Sequence, residues 1–297
     1  MASFRCGLTH RVLLPSNHSN PRPRRRFEKR SRTRSLPSLK YASLQFPKQG
    51  NIMDILVIVG FAGCLLAAAL TVPAGFGLAT MTTPLFLLWF EPHQAIAGVA
   101  IVHGAHNAMK ARLLRVHIDS DALRRFGWAL LLGAFLGAVL QSVIPSDPLL
   151  LLVGLALVVL PLLKLSESWT SIRLPEAEDR IGGFGSGFMG GLTGHQGALR
   201  AMFLQPRLPD KSAYAATAAV LALVVDLTRI PVYLWHDASV LTTDIFLLFG
   251  FVASALLGAQ IGRIWLEKWK SETIQKGIVV GLVLTGMLYI REAMLAL

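Results

Sequence analysis

The stretch GGLTGHQGALR, Gly190 to Arg200, sets a threonine, a histidine, a glutamine and an arginine among four glycines inside an otherwise apolar run. Thr193, His195, Gln196 and Arg200 all carry hydrogen-bond donors, and the glycines at 190, 191, 194 and Gly197 let a ligand approach the backbone without a Cβ in the way. A helix interrupted here leaves N–H groups unpaired at the start of its second half, and such ends attract anions. The chemistry offered is the holding of something small and negatively charged, not the making of a bond.

Two further polar groups sit in apolar surroundings. In VDLTR, Asp226 and Arg229 are three residues apart and share one helical face. Either the pair neutralises itself, or Asp226 orients an arginine whose planar fork receives an oxyanion. In HGAHNAMK, His103, His106, Asn107 and Lys110 form one stripe of a helix. That stripe suits the wall of a polar cavity, and its histidines can titrate near neutral pH. Metal binding by His103 and His106 lacks a third ligand in the sequence. Ionisable groups at membrane depth are costly, so each of these positions is a site candidate.

Other chemistries find no support. The sequence has no CxxC, HExxH, P-loop or GxSxG pattern, and its two cysteines, Cys6 and Cys64, form neither a disulfide framework nor a metal site. The net charge of +12 is concentrated in residues 1–52, which carry 12 of the 29 Lys and Arg residues and a single acid, Glu28. The remainder is nearly neutral, so the chain lacks the basic face of a nucleic-acid reader, and no cofactor is implied.

Of the 297 residues, 53% are hydrophobic and only 15% charged, well under the quarter usual in soluble domains. The class is an all-α, polytopic integral membrane protein. Spans of about 20 apolar residues fall at His93 to Arg112, Phe126 to Ile144, Pro148 to Leu163, Ala213 to Trp235, Ile245 to Gly262 and Gly277 to Ile290. Two longer stretches, Ile55 to Phe90 and Gly182 to Pro206, are broken by TVPAGFG and LTGHQG and read as paired half helices. Residues 53–165 and 182–297 then form two repeats, each a broken helix plus three spans, joined by a polar linker at 166–181. Aligning the repeats on Pro84 and Pro206 sets VPAG opposite GHQG; the first break offers no ligating side chain. Small residues such as Gly133, Gly137, Gly154, Gly258 and Gly262 mark close helix packing.

Loop charge gives the orientation. The loop around Lys110, Arg112, Arg115, Arg124 and Arg125 is the most basic and belongs in the cytoplasm. Walking forward, the linker and the loops with Arg207 and Lys211 and with Arg263 and Lys268 fall on that side, so the halves are expected to run in opposite senses. The tail, residues 1–52, has the composition of a transit peptide or a disordered arm, and MDILVIVGF at Met53 also reads as a natural beginning. The same walk puts it on the outer face, against the charge rule, which favours its removal or absence.

The pairs AGFGLATMTTP with GLTGHQGALRAMFLQP, and AIAGVAIVHGAHNAMK with AYAATAAVLALVVDLTR, resemble the TauE/SafE family of sulfite and sulfonate exporters, over Met53 to Leu297. GLTGHQGALR followed by VDLTRIPVY is similar to a mainly bacterial branch. The chain departs from the commoner glycine triplet at Gly77, Leu78 and Ala79, and has His-Gln-Gly at 195 to 197. The resemblance implies a multi-pass carrier in the cell membrane, or in an organelle if the tail is a transit peptide, moving small organic or sulfur oxyanions. Substrate contacts are expected at Thr193, His195, Gln196, Gly197, Arg200, Asp226, Arg229, His103, His106 and Asn107. The rival readings are an intramembrane enzyme using histidine and a membrane scaffold without cargo. Expected partners are a small anion and the bilayer, without nucleic acid, and self-association is left open.

Overall fold

A computed structural model of the chain describes residues 50–165, 178–266, 268 and 271–296. The tail up to residue 49 and the linker positions 166–177 lie outside the described residues. Within them the protein is built of helices: α1 (Gly50–Ala74), α2 (Leu78–Phe86), α3 (Pro92–Leu113), α4 (Ser120–Val143), α5 (Ser146–Leu165), α6 (Glu178–Thr193), α7 (Gly197–Leu204), α8 (Lys211–His236), α9 (Val240–Thr243), α10 (Ile245–Trp265) and α11 (Ser271–Ala296). α6 starts at Glu178, inside the stretch read as linker.

Local chemistry sets the helix starts. Asp119, Asp210 and Asp244 precede α4, α8 and α10, and their side chains accept the backbone N–H of Ala122, Ala213 and Leu247. Pro92 opens α3, where its missing N–H costs nothing. Among the described residues, five helices (α1, α4, α8, α10 and α11) are long and apolar enough to cross a membrane. α5 supplies a shorter apolar stretch, and α3 is diluted by its own polar stripe. The outward face of α4 exposes Leu132, Phe135, Leu136, Val139 and Val143, a band that only lipid can cover without penalty. The protein is a multi-pass membrane protein.

Both interrupted helices fold back as hairpins. Gly182 faces Phe203 and Gly185 faces Leu199, so α7 returns along α6; Gly60 faces Trp89 and Gly63 faces Leu85, so the chain after α2 returns along α1. Each hairpin then packs on a helix of the other half. Gly133 and Gly137 of α4 lie on the backbone of Phe184 and Phe188 in α6, while Gly258 and Gly262 of α10 lie on that of Leu65 and Ala69 in α1. In both pairs the residue numbers rise together, so the helices are parallel. Small residues let the backbones touch where lipid offers no hydrophobic drive to association. α3 and α8 pack together between these two pairs, and α5 meets α11 where Gly154 abuts Gly286 and Ile290.

A side chain at Gly137 would run into the Phe188 carbonyl and sit 2.9 Å from the Leu192 nitrogen. Gly137→Val is therefore expected to destabilise the protein by on the order of 3 kcal/mol, as backbone cannot yield the way a side-chain tip can. Thermal unfolding in detergent measures this, and an unchanged midpoint would contradict the packing.

Leu65 and Phe184, Ala69 and Phe188, and Gly75 and Gly194 stand at matching places in the two hairpins, with the same spacing throughout. On that spacing Pro84 lies inside α2, whereas Pro206 lies beyond the end of α7. The starts of α3 and α8 keep the same spacing, which along them sets Asn107 level with Asp226 and Lys110 level with Arg229.

Candidate functional site

Each break is made by a glycine that a helix end requires. Gly75 and Gly194 follow the last residues of α1 and α6 with φ of 82° and 85°, in the left-handed region. Their N–H groups close the final turn onto Thr71 O at 2.9 Å and Gly190 O at 3.1 Å. Gly77, with φ of 112°, completes the first break. The two breaks touch: a Cβ on Gly197 would lie 2.8 Å from Phe76 Cβ and 3.5 Å from the Gly77 nitrogen. The glycines of GGLTGHQG thus bring protein to protein. Gly191 rests on the Ala134 backbone, Gly194 on the Arg229 guanidinium and Gly197 on Phe76.

α8 anchors the second break. Asp226 and Arg229 are both fully buried. Arg229 donates from Nε and Nη2 to Asp226 Oδ1 at 3.0 and 2.8 Å, and from Nη1 to Gly190 O at 3.0 Å. His103 Nδ1 donates to the other carboxylate oxygen, Oδ2, at 2.7 Å. The Tyr233 hydroxyl donates to Gly191 O. Two carbonyls in the last turn of α6 are therefore held by α8: Gly190 O, which also accepts the Gly194 N–H, and Gly191 O. Asp226 orients the guanidinium, and the guanidinium holds the end of the half helix.

The α3 stripe divides by function. His106 Nε2 donates to Ala68 O of α1 at 3.2 Å, and Asn107 Nδ2 donates to His103 O of its own helix at 2.8 Å. His103 and His106 are thus engaged on different helices and do not converge on one point. Among the described residues no group of three or more His, Cys, Asp or Glu is placed to hold a metal. Lys110 is 4% exposed, and among the described residues its side chain has neither a hydrogen bond nor an ion pair.

Around the second break the polar groups are buried and short of partners. Thr193 donates to Met189 O at 3.1 Å and receives the His195 N–H at 3.4 Å. Ser186 donates to Gln196 O at 3.3 Å, and Gln196 Oε1 accepts from Arg200 Nη1 at 3.2 Å. Among the described residues, both ring nitrogens of His195, Gln196 Nε2, Arg200 Nε and the Tyr214 hydroxyl are buried without a hydrogen-bond partner. Arg200 is 3% exposed and stands within electrostatic range of Lys110, of Tyr214 and of Asp226. His195 stands within the same range of Arg229 and His103.

The charge at the site does not balance. Asp226 and Arg229 cancel, while Lys110 and Arg200 are in no ion pair among the described residues, and Arg200 shares the field of that same Asp226. Burying an ion costs several kcal/mol unless it is paired. The structure therefore gathers Thr193, His195, Gln196, Gly197 and Arg200 at the contact between breaks, and joins His103 to Asp226 and Arg229 beside them. The sequence places Lys110 on the α3 stripe and in the basic loop after it but not among the substrate contacts, whereas the structure buries it; Tyr214 is not singled out by the sequence. The signal for Lys110 was present, since it extends the stripe toward the second break; Tyr214 in AYAAT carried none.

Comparison with curated proteins found no match, and comparison with solved structures found none. A family model described as sulfite exporter TauE/SafE matches residues 59–289, which contain both hairpins, the α3 stripe and the α8 pair. A helical membrane body with two touching breaks and buried polar groups is what a membrane transporter needs, and by this match the chain belongs to the TauE/SafE family of membrane transporters.

Proposed function

We propose that the protein is a secondary carrier of small anions of the sulfite and sulfonate class, bound where the two breaks meet. The observation that carries this reading is the pair of buried basic residues, Lys110 and Arg200, neither of them in an ion pair among the described residues, beside the donors Gln196 Nε2, Arg200 Nε and the Tyr214 hydroxyl, which have no partner there. An anion supplies both the missing charge and the missing acceptors. Lys110 and Arg200 attract it, while Gln196, Tyr214 and the amides at the start of α7 fix its orientation. A sulfur oxyanion presents several acceptor oxygens in a compact volume and suits donors arriving from several directions.

The matching spacing of the two hairpins supports alternating access. If α3, α4, α5, α8, α10 and α11 each cross the bilayer, then with α1 parallel to α10 and α6 parallel to α4 the first hairpin opens to the face opposite the second. These directions support an inverted pair of halves, with the α4–α5 turn outside and the ends of α3 and α5 in the cytoplasm. In the present arrangement Arg229 holds the second break, and its counterpart Lys110 is free. In the other, Lys110 with Asn107 holds the carbonyls before Gly75, and Arg229 releases the second break. The anion sits between the two pairs and is exposed to one face at a time.

The test is uptake of radiolabelled sulfite, taurine, sulfoacetate and sulfate into proteoliposomes, beside thermal unfolding in detergent with the same anions. Saturable flux of at least one anion, and a raised unfolding midpoint with that anion and not with a change of cation, are the expected results. Folded protein that moves none of them and gains no stability from any returns the fold to a scaffold. A scaffold has a use for the Asp226–Arg229 pair but none for an unpaired Lys110 and Arg200.

A further inference from the structure

Away from the breaks, a groove of about 900 Å³ opens between the first turns of α4 and α6. Arg124, Arg125, Arg180 and Asp179 line its mouth, and Trp128 and Leu132 line its lower wall. The Asp179 carboxylate is already matched: Arg125 Nε stands 3.3 Å from it on one side and Arg207 pairs with it on the other. Arg124 and Arg180 are exposed, and neither has an ion pair among the described residues. Below them the wall is apolar and open, with Trp128 78% and Leu132 57% exposed, and the bare face continues down α4 through Phe135, Leu136 and Val139.

We infer that this groove is a binding site for an anionic glycerophospholipid. Arg124 and Arg180 hold the headgroup phosphate, Trp128 lies at the level of the glycerol backbone, and an acyl chain follows the exposed stripe of α4. The order of groups matches the molecule: cations where the helices begin, an amphipathic indole one turn in, hydrocarbon beyond. A free phosphate has no use for the stripe, and an uncharged lipid none for the arginines. The basic loop before α4 puts this end of the bundle on the cytoplasmic side, where anionic lipids concentrate. The bridge from Arg125 through Asp179 to Arg207 joins the groove to the mouth of the second hairpin, because Arg207 follows the end of α7. Lipid in the groove therefore stiffens the base on which that hairpin stands.

Native mass spectrometry of the full-length protein released from detergent tests this directly, using phosphatidylglycerol and phosphatidylcholine with identical acyl chains. The protein is expected to retain phosphatidylglycerol in preference, and Arg124→Ala/Arg180→Ala to lower that affinity on the order of twentyfold. Arg124→Lys/Arg180→Lys keeps the charge and is expected to keep most of the binding, while Trp128→Ala is expected to weaken retention of both lipids. Equal retention of the two lipids, or an alanine pair that binds phosphatidylglycerol as the parent does, overturns the proposal. So does displacement of the lipid by an equal concentration of glycerol 3-phosphate, which would make this a site for free phosphate.

Discussion

Lys110→Met is expected to abolish anion flux and, at the same time, to make the ligand-free protein more stable. Buried at 4% exposure with no partner among the described residues, the ammonium keeps its desolvation cost without the attraction that would offset it. Methionine of similar length removes the charge and keeps the packing, for an expected gain of about 1 to 3 kcal/mol in the absence of ligand. On the proposed site the same change removes a charged contact to the anion, worth about 1.5 to 3 kcal/mol, or roughly a 10- to 100-fold loss of affinity. Arg200→Met should behave alike, less cleanly, because Arg200 also donates to Gln196 Oε1. Unfolding midpoints with and without sulfite, measured beside proteoliposome flux, separate the two effects. A Lys110→Met protein that is less stable without ligand and still transports would place the anion elsewhere.

The breaks were legible because proline and glycine interrupt apolar runs too long for one helix, and the spans because the bilayer sets their length. The packing glycines were legible too: Gly133, Gly137, Gly258 and Gly262 all lie on backbone of a facing helix, as small residues in such spans predict. Less visible was what the glycines at the second break do. A glycine admitting a ligand and a glycine admitting another backbone look alike in a sequence, and only the contacts of Gly191, Gly194 and Gly197 show the second use. The spacing of the two hairpins is hard to read for a related reason. Proline at a helix end tolerates several positions, whereas the left-handed residue that closes the last turn tolerates one, so Gly75 and Gly194 are firmer marks than Pro84 and Pro206. On the spacing those glycines give, Asn107 and Lys110 stand level with Asp226 and Arg229, and among the described residues the second pair is tied together while the lysine side chain has no ion pair.

That difference sets the second large effect. Arg229→Met leaves Asp226 fully buried with His103 as its remaining hydrogen-bond partner among the described residues and takes one donor from Gly190 O, so a loss of about 3 to 5 kcal/mol is expected. Asp226→Asn strands the guanidinium instead and should cost a similar amount. Removing both charges together, as Asp226→Asn/Arg229→Met, is expected to restore most of the stability, because no ion is then left unpaired. Flux is the discriminating measurement on this double variant. If the pair serves only to neutralise itself, restored stability brings restored transport. If the second break must be gripped and released as the halves exchange roles, the double variant folds, still gains stability from the anion through Lys110 and Arg200, and does not carry it across. A double variant that transports at the parent rate would confine Asp226 and Arg229 to structure and leave alternating access to be driven from elsewhere in the bundle.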